Sequence, residues 1–303
     1  MPPLERDKEV RFPILTVFTI LICVALCTMI NVQGANSWAI FNRWGYYADA
    51  DILEGAYWGL ITGAFVHVDP IHWAFNMYWL FILGGAMERT IGPVKWAGFV
   101  LAAAFLSSGV ELMSGSSGIG FSGVGYAMFG FAWLTKDRFP EMAKVTNQKT
   151  FNVFVGWGIL CIFLSYFNIL NVGNVAHVSG LIFGGLVGAW IVHPTRKVLI
   201  GHGVALLTIC AVTSLFWNPL SPEWVGMQAI RAHERKDYNS AIYYYQRYLD
   251  VGGDVVWGRR ALAELYGFKQ DKVRYREAIS LLKVVDFEAM REVIKDYGEP
   301  EYP

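Results

Sequence analysis

The 303-residue chain is 54% hydrophobic and 16% aromatic, and only 17% of its residues are charged. This balance excludes an ordinary soluble globular protein, and a net charge of +0 without a basic run argues against nucleic acid as a partner. The four cysteines lie in apolar stretches without the paired spacing of disulfide frameworks or zinc sites. The composition therefore predicts a membrane protein with no metal and no other cofactor.

Seven apolar segments follow one another along the chain: residues 12–32, 71–87, 96–113, 121–135, 151–170, 175–192 and 198–217. A bilayer core of ~30 Å needs about 20 helical residues, and fewer suffice where a helix stops short. The first apolar run is longer than the core of an ordinary signal peptide, so we interpret it as a retained anchor. These segments predict an all-α polytopic membrane protein, a helical bundle with about seven transmembrane helices over residues 12–217.

Basic residues mark alternate ends of the predicted spans, which places those ends in the cytoplasm. They are Arg6, Lys8, Arg11, Arg89, Lys95, Lys136, Arg138, Lys144, Lys149, Arg196 and Lys197. The opposite connections carry only Arg43, and aromatic residues crowd the first of them, as they do at a membrane interface. Residues 1–11 are therefore predicted to be a cytoplasmic tail, and an odd number of spans leaves the C-terminus outside.

Residues 218–303 have the composition of a water-soluble helical region with an internal echo. The stretch KDYNSAI (residues 236–242) recurs in part as VRYREAI (residues 273–279), at an offset of 37 residues. This offset is close to the tetratricopeptide period of 34, and two unrelated amphipathic hairpins are the alternative. Because two units are fewer than a free-standing solenoid needs, we expect this region to lean on the membrane domain or to bind a protein partner.

Four polar residues lie inside or at the head of predicted spans, where such groups indicate function. They are His72, Asn76, Ser122 and His177. Counted from the cytoplasmic end of each span, Asn76, Ser122 and His177 stand at heights of roughly 20, 21 and 24 Å, at 1.5 Å per residue. One shared layer, on the order of 6 to 10 Å below the outer surface of a ~30 Å core, is therefore predicted.

The chemistry of this layer favours a serine nucleophile. GFSG (residues 120–123) places Ser122 between glycines at a helix start, where free amides can hold negative charge. Gly180, Gly184 and Gly188 thin the sixth span, so close packing would bring His177 within reach of Ser122 as its general base.

His72 and Asn76 share one helical face and could both donate to an oxyanion. Tyr126 lies on the face of Ser122 and could pack against the imidazole. The spans offer no buried aspartate, so a two-member dyad is the predicted mechanism.

Three blocks carry a family resemblance: HVDPIHWAFNM (residues 67–77), GFSGVGYAMFG (120–130) and NVAHVSGLIFGG (174–185). In sequence, order and spacing they resemble the signature blocks of bacterial rhomboid proteases, over about residues 12–192. The resemblance implies a rhomboid-like bundle and a serine endopeptidase that cleaves transmembrane segments of other proteins. It implies these roles: nucleophile Ser122, general base His177, oxyanion side chains His72 and Asn76, imidazole-packing Tyr126, motif glycine Gly120 and structural His67.

The sequence departs from the family pattern at two places. The usual Trp-Arg pair of the first outer loop reads Trp58-Gly59, and the Glu-x-Arg after the second span reads Glu88-Arg89-Thr90. The seventh span and the outer helical region resemble a bacterial subgroup with six plus one spans. The resemblance thus implies a protein of the bacterial cytoplasmic membrane, whose partners are the lipid bilayer and transmembrane substrates.

Two other functions are compatible with a polar layer inside a bundle. A rhomboid-like protein that binds or extracts membrane proteins without proteolysis typically lacks the serine or the histidine, and both are present here. A transporter would favour paired acidic residues or broken helices, which the second, fourth and sixth spans lack.

Overall fold

The computed structural model describes residues 12–34, 37–170 and 172–300, and over these residues the chain is helical and contains no strand. The predicted all-α fold class is confirmed. The chain divides into two compact units with the boundary after Phe216, one residue from the predicted boundary. The predicted cytoplasmic tail, with Arg6, Lys8 and Arg11, lies outside the described residues.

Every predicted apolar segment of the first unit is helical. The helices are α1 (Ile14–Val32), α2 (Trp38–Arg43), α3 (Asp49–Leu53), α4 (Gly59–Thr62), α5 (Pro70–Trp79), α6 (Gly85–Ile91), α7 (Pro93–Leu112), α8 (Ser122–Thr135), α9 (Pro140–Val145), α10 (Gln148–Tyr166), α11 (Asn174–Val192) and α12 (Lys197–Phe216). A π-helical stretch, Leu80–Gly84, joins α5 to α6. The core lies among α5 to α8 and α11, where Leu83, Trp96 and Phe131 are fully buried.

In the part of the chain that the structure describes, five helical segments are long and apolar enough to cross a membrane: Ile14–Val32, Pro93–Leu112, Gln148–Tyr166, Asn174–Val192 and Pro194–Phe216. The other two predicted spans differ in form. The second is α5, the π-helical stretch and α6 in succession, and the fourth, α8, has only 14 residues. The seven-span topology therefore stays a prediction, although all seven segments are helices.

Glycines allow α8 and α11 to touch along their backbones. A Cβ added to Gly180 would collide with the Gly123 carbonyl, and one added to Gly184 would collide with the Ala127 carbonyl. A Cβ on Gly188 would lie 3.2 Å from the carbonyl oxygen of Phe131. The predicted thinning of the sixth span thus brings it directly against the helix that begins at Ser122.

Glu88, the first residue of the Glu88-Arg89-Thr90 departure, ties α6 to the start of α1. Its buried carboxylate accepts hydrogen bonds from the amides of Leu15 (3.0 Å) and Thr16 (2.7 Å), two of the free donors at a helix start. Arg89 pairs with Glu141 of α9 at 3.2 Å. The hydrogen bond from Lys144 and the contact with Arg89 lower the pKa of the Glu141 carboxyl.

The connection between α1 and α5 is built from the short helices α2, α3 and α4. Asn42 donates to Asp51 at 3.0 Å, and the rings of Tyr47 and Trp58 meet edge to face at 5.8 Å. A Cβ on Gly59 would lie 3.0 Å from Ile52. The backbone therefore packs closely where the family's Trp-Arg pair has its arginine, and glycine suits that position.

The second unit contains α13 (Pro222–Glu234), α14 (Tyr238–Asp250), α15 (Val255–Phe268), α16 (Lys272–Val285) and α17 (Phe287–Tyr297). α13 packs on α14 and α15 packs on α16, so the unit holds two successive helical hairpins. Asp237 caps α14 and Asp271 caps α16, and hydrogen bonds from Ser240 lower the pKa of the Asp237 carboxyl.

The two caps lie 34 residues apart, whereas the sequence echo has an offset of 37 residues. The difference of three residues is about one helical turn, so the echoed residues keep their face but lie one turn further along α16. Of the echoed pairs, Ala241, Tyr275 and Ala278 are buried, whereas Tyr238 is half-buried. The cap spacing equals the tetratricopeptide period, and that interpretation stays a prediction.

Candidate active site

Ser122 is the first residue of α8 and follows a loop with an unusual backbone. Gly120 adopts φ +93°, a left-handed conformation that L side chains rarely adopt. A Cβ there would also lie 2.6 Å from the ring of His72. Glycine at position 120 thus lets the loop turn into α8 and lets the His72 ring approach it.

Ser122 and His177 meet at the contact between α8 and α11. Ser122 Oγ lies 2.8 Å from His177 Nε2, a normal hydrogen-bond distance. Gly123, the next residue, lets α8 lie close to α7, because a Cβ there would lie 2.6 Å from Ser107 Oγ on α7. Ser122 is half-buried and His177 is buried.

The imidazole of His177 stacks against an aromatic ring. The ring of Tyr126 stacks on it with centroids 4.6 Å apart and planes 22° apart. The Tyr126 hydroxyl donates to the carbonyl of Phe154 at 2.8 Å, which fixes the phenol between α8 and α10. His177 Nδ1 is buried, and within the described residues it has no hydrogen-bond partner. A stacked ring, rather than a hydrogen-bonded carboxylate, thus orients this imidazole.

His67 accepts from the loop that leads to Ser122. Its Nε2 lies 3.1 Å from the amide nitrogen of Phe121 and 3.3 Å from Asn76 Nδ2. Because a backbone N–H can only donate, Nε2 carries no proton and the proton of the neutral ring is on Nδ1. His67 therefore joins the start of α8 to α5.

His72 and Asn76 are positioned by the start of α5. Asp69 caps this helix by accepting from the His72 amide at 2.6 Å, and Pro70 occupies the first turn. His72 is half-buried, with its ring centroid 5.4 Å from that of His67, while Asn76 is 5% exposed. His72 thus lies against Gly120 of the loop before Ser122, while Asn76 contacts His67.

The structure therefore gathers the seven predicted site residues into two contacting groups: Ser122, His177 and Tyr126 in one, and Gly120, His67, His72 and Asn76 in the other. The backbone of Phe121, which donates to His67 and precedes Ser122, joins the two groups. Across the described ranges, no cluster of three or more His, Cys, Asp or Glu side chains could hold a metal ion. The chemical roles of the seven residues remain predictions.

Sequence reasoning missed one buried acid beside this site. Glu111, near the end of α7, is 3% exposed and accepts from the amide of Ala176, the residue before His177, at 2.5 Å. The available signal was a single carboxylate near the outer end of the third apolar segment, followed by serines at 114, 116 and 117. The sequence does not reveal its partner, which is 65 residues away.

The part of the chain that holds these residues is similar to a known protein family. The family model described as "Rhomboid domain" matches residues 54–195. These residues form a rhomboid domain. The match contains all seven predicted site residues and ends before the second unit, so it does not test the tetratricopeptide interpretation.

Curated relatives agree with the domain match. The chain is 32% identical over 179 residues to "Rhomboid protease GlpG" of Yersinia pestis (strain Pestoides F) and to the same protein of Yersinia pseudotuberculosis serotype O:3. These alignments cover 58% of this chain and 62% of the relatives. For Yersinia enterocolitica serotype O:8 the identity is 32% over 189 residues, covering 60% and 64%.

The chain spans less than two thirds of the length of these relatives. The apolar helices make the protein an integral membrane protein, and the part of it that matches the rhomboid family model is residues 54–195.

Proposed function

We propose that this protein is an intramembrane serine endopeptidase that cleaves transmembrane segments of other membrane proteins. The observation that carries the proposal is the 2.8 Å contact between Ser122 Oγ and His177 Nε2 inside an apolar helical bundle. A serine hydroxyl is a weak nucleophile until a neighbouring base takes its proton, and a neutral imidazole at this distance can take it.

The first half of the reaction forms an ester. Ser122 Oγ attacks the scissile carbonyl carbon while its proton moves to His177 Nε2. The C–N bond then breaks, and the proton on Nε2 passes to the leaving amine. In the second half, water gives a proton to Nε2 while its oxygen attacks the acyl carbon. The bond from that carbon to Ser122 Oγ breaks, and the proton on Nε2 passes to Oγ, which restores the serine hydroxyl and releases the new carboxyl end.

The developing oxyanion needs donors, and the start of α8 supplies them. The first amides of a helix have no intrahelical partner, and they carry the positive end of the helix dipole. Asn76 Nδ2 has two N–H groups, of which one points to His67 and the other can serve the oxyanion. The ring of His72, beside Gly120, supplies a third donor.

The partners follow from this chemistry. The substrates are proteins with a transmembrane segment that enters the bundle from the lipid bilayer, and the reaction needs no cofactor. We place the protein in the bacterial cytoplasmic membrane with residues 218–303 outside, where they bind a protein partner through a tetratricopeptide-like fold.

Incubating the purified protein in liposomes with a panel of single-span membrane proteins, followed by mass spectrometry of the products, tests the proposal. Cleavage within the transmembrane segment, with a Ser122→Ala protein inactive on the same panel, is the expected result. Binding of these proteins without any cleavage would instead support the non-proteolytic alternative.

A further inference from the structure

Glu111 is an acidic side chain that the proposed chemistry does not use. It lies near the end of α7 and is 3% exposed, inside a domain whose surroundings are apolar. Burying a carboxylate costs several kcal/mol unless hydrogen bonds compensate it, so its partners indicate why it is there.

The first partner lies on the histidine side of the dyad. The amide of Ala176 donates to Glu111 Oε2 at 2.5 Å, in the first turn of α11 and immediately before His177. A Cβ on Gly173 would lie 3.4 Å from the same carboxylate, so glycine leaves room for this approach. Glu111 therefore holds the end of α11 that carries the general base.

The other partners lie on the serine side. The hydroxyl of Ser116 donates to Glu111 Oε1 at 3.1 Å, and that of Ser114 lies 3.4 Å from the same oxygen and donates to the main-chain carbonyl of Glu111 at 2.7 Å. These serines begin the loop that ends at Ser122. The loop is also held at Gly120, whose amide donates to the Gly63 carbonyl at 3.1 Å.

We propose that Glu111 is a positioning residue that sets the distance between Ser122 and His177 by joining the serine loop to the first turn of α11. This inference rests on the proposed function. The two carboxylate oxygens have different partners. Oε2 accepts from Ala176 in α11, and Oε1 accepts from Ser116 in the loop that leads to Ser122. The reach of the side chain, not only its charge, determines how the two sides fit together.

Two substitutions at Glu111 distinguish the effect of side-chain length from the effect of charge. Glu111→Gln keeps the length, because its Oε1 can accept from Ala176 while its Nε2 donates to a serine hydroxyl. Glu111→Asp keeps the charge but is one methylene shorter, so it cannot span both sides. Ser116→Ala removes a bond on the serine side alone.

Glu88 offers a matched control. It is also a buried glutamate, and it also accepts from amides at a helix start, but those amides belong to α1, which carries neither dyad residue. Glu88→Gln should therefore change the thermal midpoint without changing the reactivity of the folded protein.

The measurement is the rate at which a fluorophosphonate labels Ser122 in liposome-embedded protein, as a function of probe concentration. Glu111→Asp should lower the limiting rate by about 10²-fold and leave the half-saturating concentration unchanged, because an ångström of misplacement has that effect. Glu111→Gln should stay within about fivefold of wild type, since a neutral hydrogen bond replaces a charged one. Ser116→Ala should give an intermediate loss.

A wild-type limiting rate in both Glu111→Asp and Ser116→Ala would overturn the inference. So would a large loss in Glu111→Gln with none in Glu111→Asp, which would assign the effect to charge. If Glu111→Asp does not fold, Ser116→Ala decides. Failure of the proposed function has a different result, because the wild type itself would then not be labelled at Ser122.

Discussion

Tyr126 lies flat against His177, with ring centroids 4.6 Å apart, and its hydroxyl reaches across to the carbonyl of Phe154. The two contacts have separate effects. Ring stacking restricts the rotation of the His177 imidazole, and the hydroxyl hydrogen bond restricts the rotation of the Tyr126 ring. Because His177 Nδ1 has no hydrogen-bond partner among the described residues, the stacked face is the contact we expect to matter more.

Tyr126→Phe should therefore lose little activity, since it keeps the ring and removes one hydrogen bond of about 1 kcal/mol. Tyr126→Ala should lower the turnover rate far more, by about 10²-fold, because the imidazole can rotate away from Ser122. Initial cleavage rates of a single-span reporter protein measure both. Equal losses in the two variants would contradict a role for the stacked face.

The second prediction concerns the contact between α8 and α11, and it compares two adjacent glycines of α11, of which only one lies against α8. A Cβ on Gly184 would collide with the Ala127 carbonyl, whereas a Cβ on Gly185 meets nothing within 4 Å. Gly184→Ala should separate the helices and lower the thermal midpoint, at a cost of about 1 to 3 kcal/mol for overpacking. It should also lower activity by moving His177.

Gly185→Ala is the matched control for this pair. It should be neutral or slightly stabilising, by about 0.5 to 1 kcal/mol, because alanine favours a helix interior more than glycine does. Similar thermal midpoints for the two alanine variants would show that the backbones of α8 and α11 are not in contact in the membrane.

Much of this fold could be predicted from apolar length alone, because each long apolar run corresponds to a helix in the structure. The meeting of Ser122 and His177 was also predictable, since helical rise converts sequence position into height along a span and gives the two residues similar heights. The shared layer with Asn76 stays a prediction. The contact from Glu111 to Ala176 was not, because it joins positions that no local period relates. The π-helical stretch at Leu80–Gly84 and the one-turn offset between α14 and α16 depend likewise on packing.

The third prediction concerns the side of the membrane on which residues 218–303 lie, and it is drawn from the distribution of basic residues. A protease added to intact spheroplasts should remove residues 218–303, because an odd number of spans places them outside. Immunoblotting with a C-terminal tag reports the result. Protection of the tag until the membrane is opened would contradict seven spans.

Truncation after Trp217 tests whether the second unit belongs to the catalytic machinery. All seven predicted site residues lie in the first unit, so cleavage of a generic single-span reporter should remain close to the full-length rate. Recruitment of particular partners should be lost instead, which co-purification from membranes would detect. Complete inactivity of a folded truncation would assign the second unit to catalysis.

The most direct test of the central claim is the turnover of a single-span substrate by the wild type, Ser122→Ala, His177→Ala and the double variant, all purified to the same standard. Each single change should abolish turnover, and the double variant should be no worse than either, because members of one catalytic unit are not additive. His72→Ala or Asn76→Ala should leave a residual rate about 10²- to 10³-fold lower, as expected for one lost oxyanion donor. Wild-type cleavage by Ser122→Ala would contradict the account.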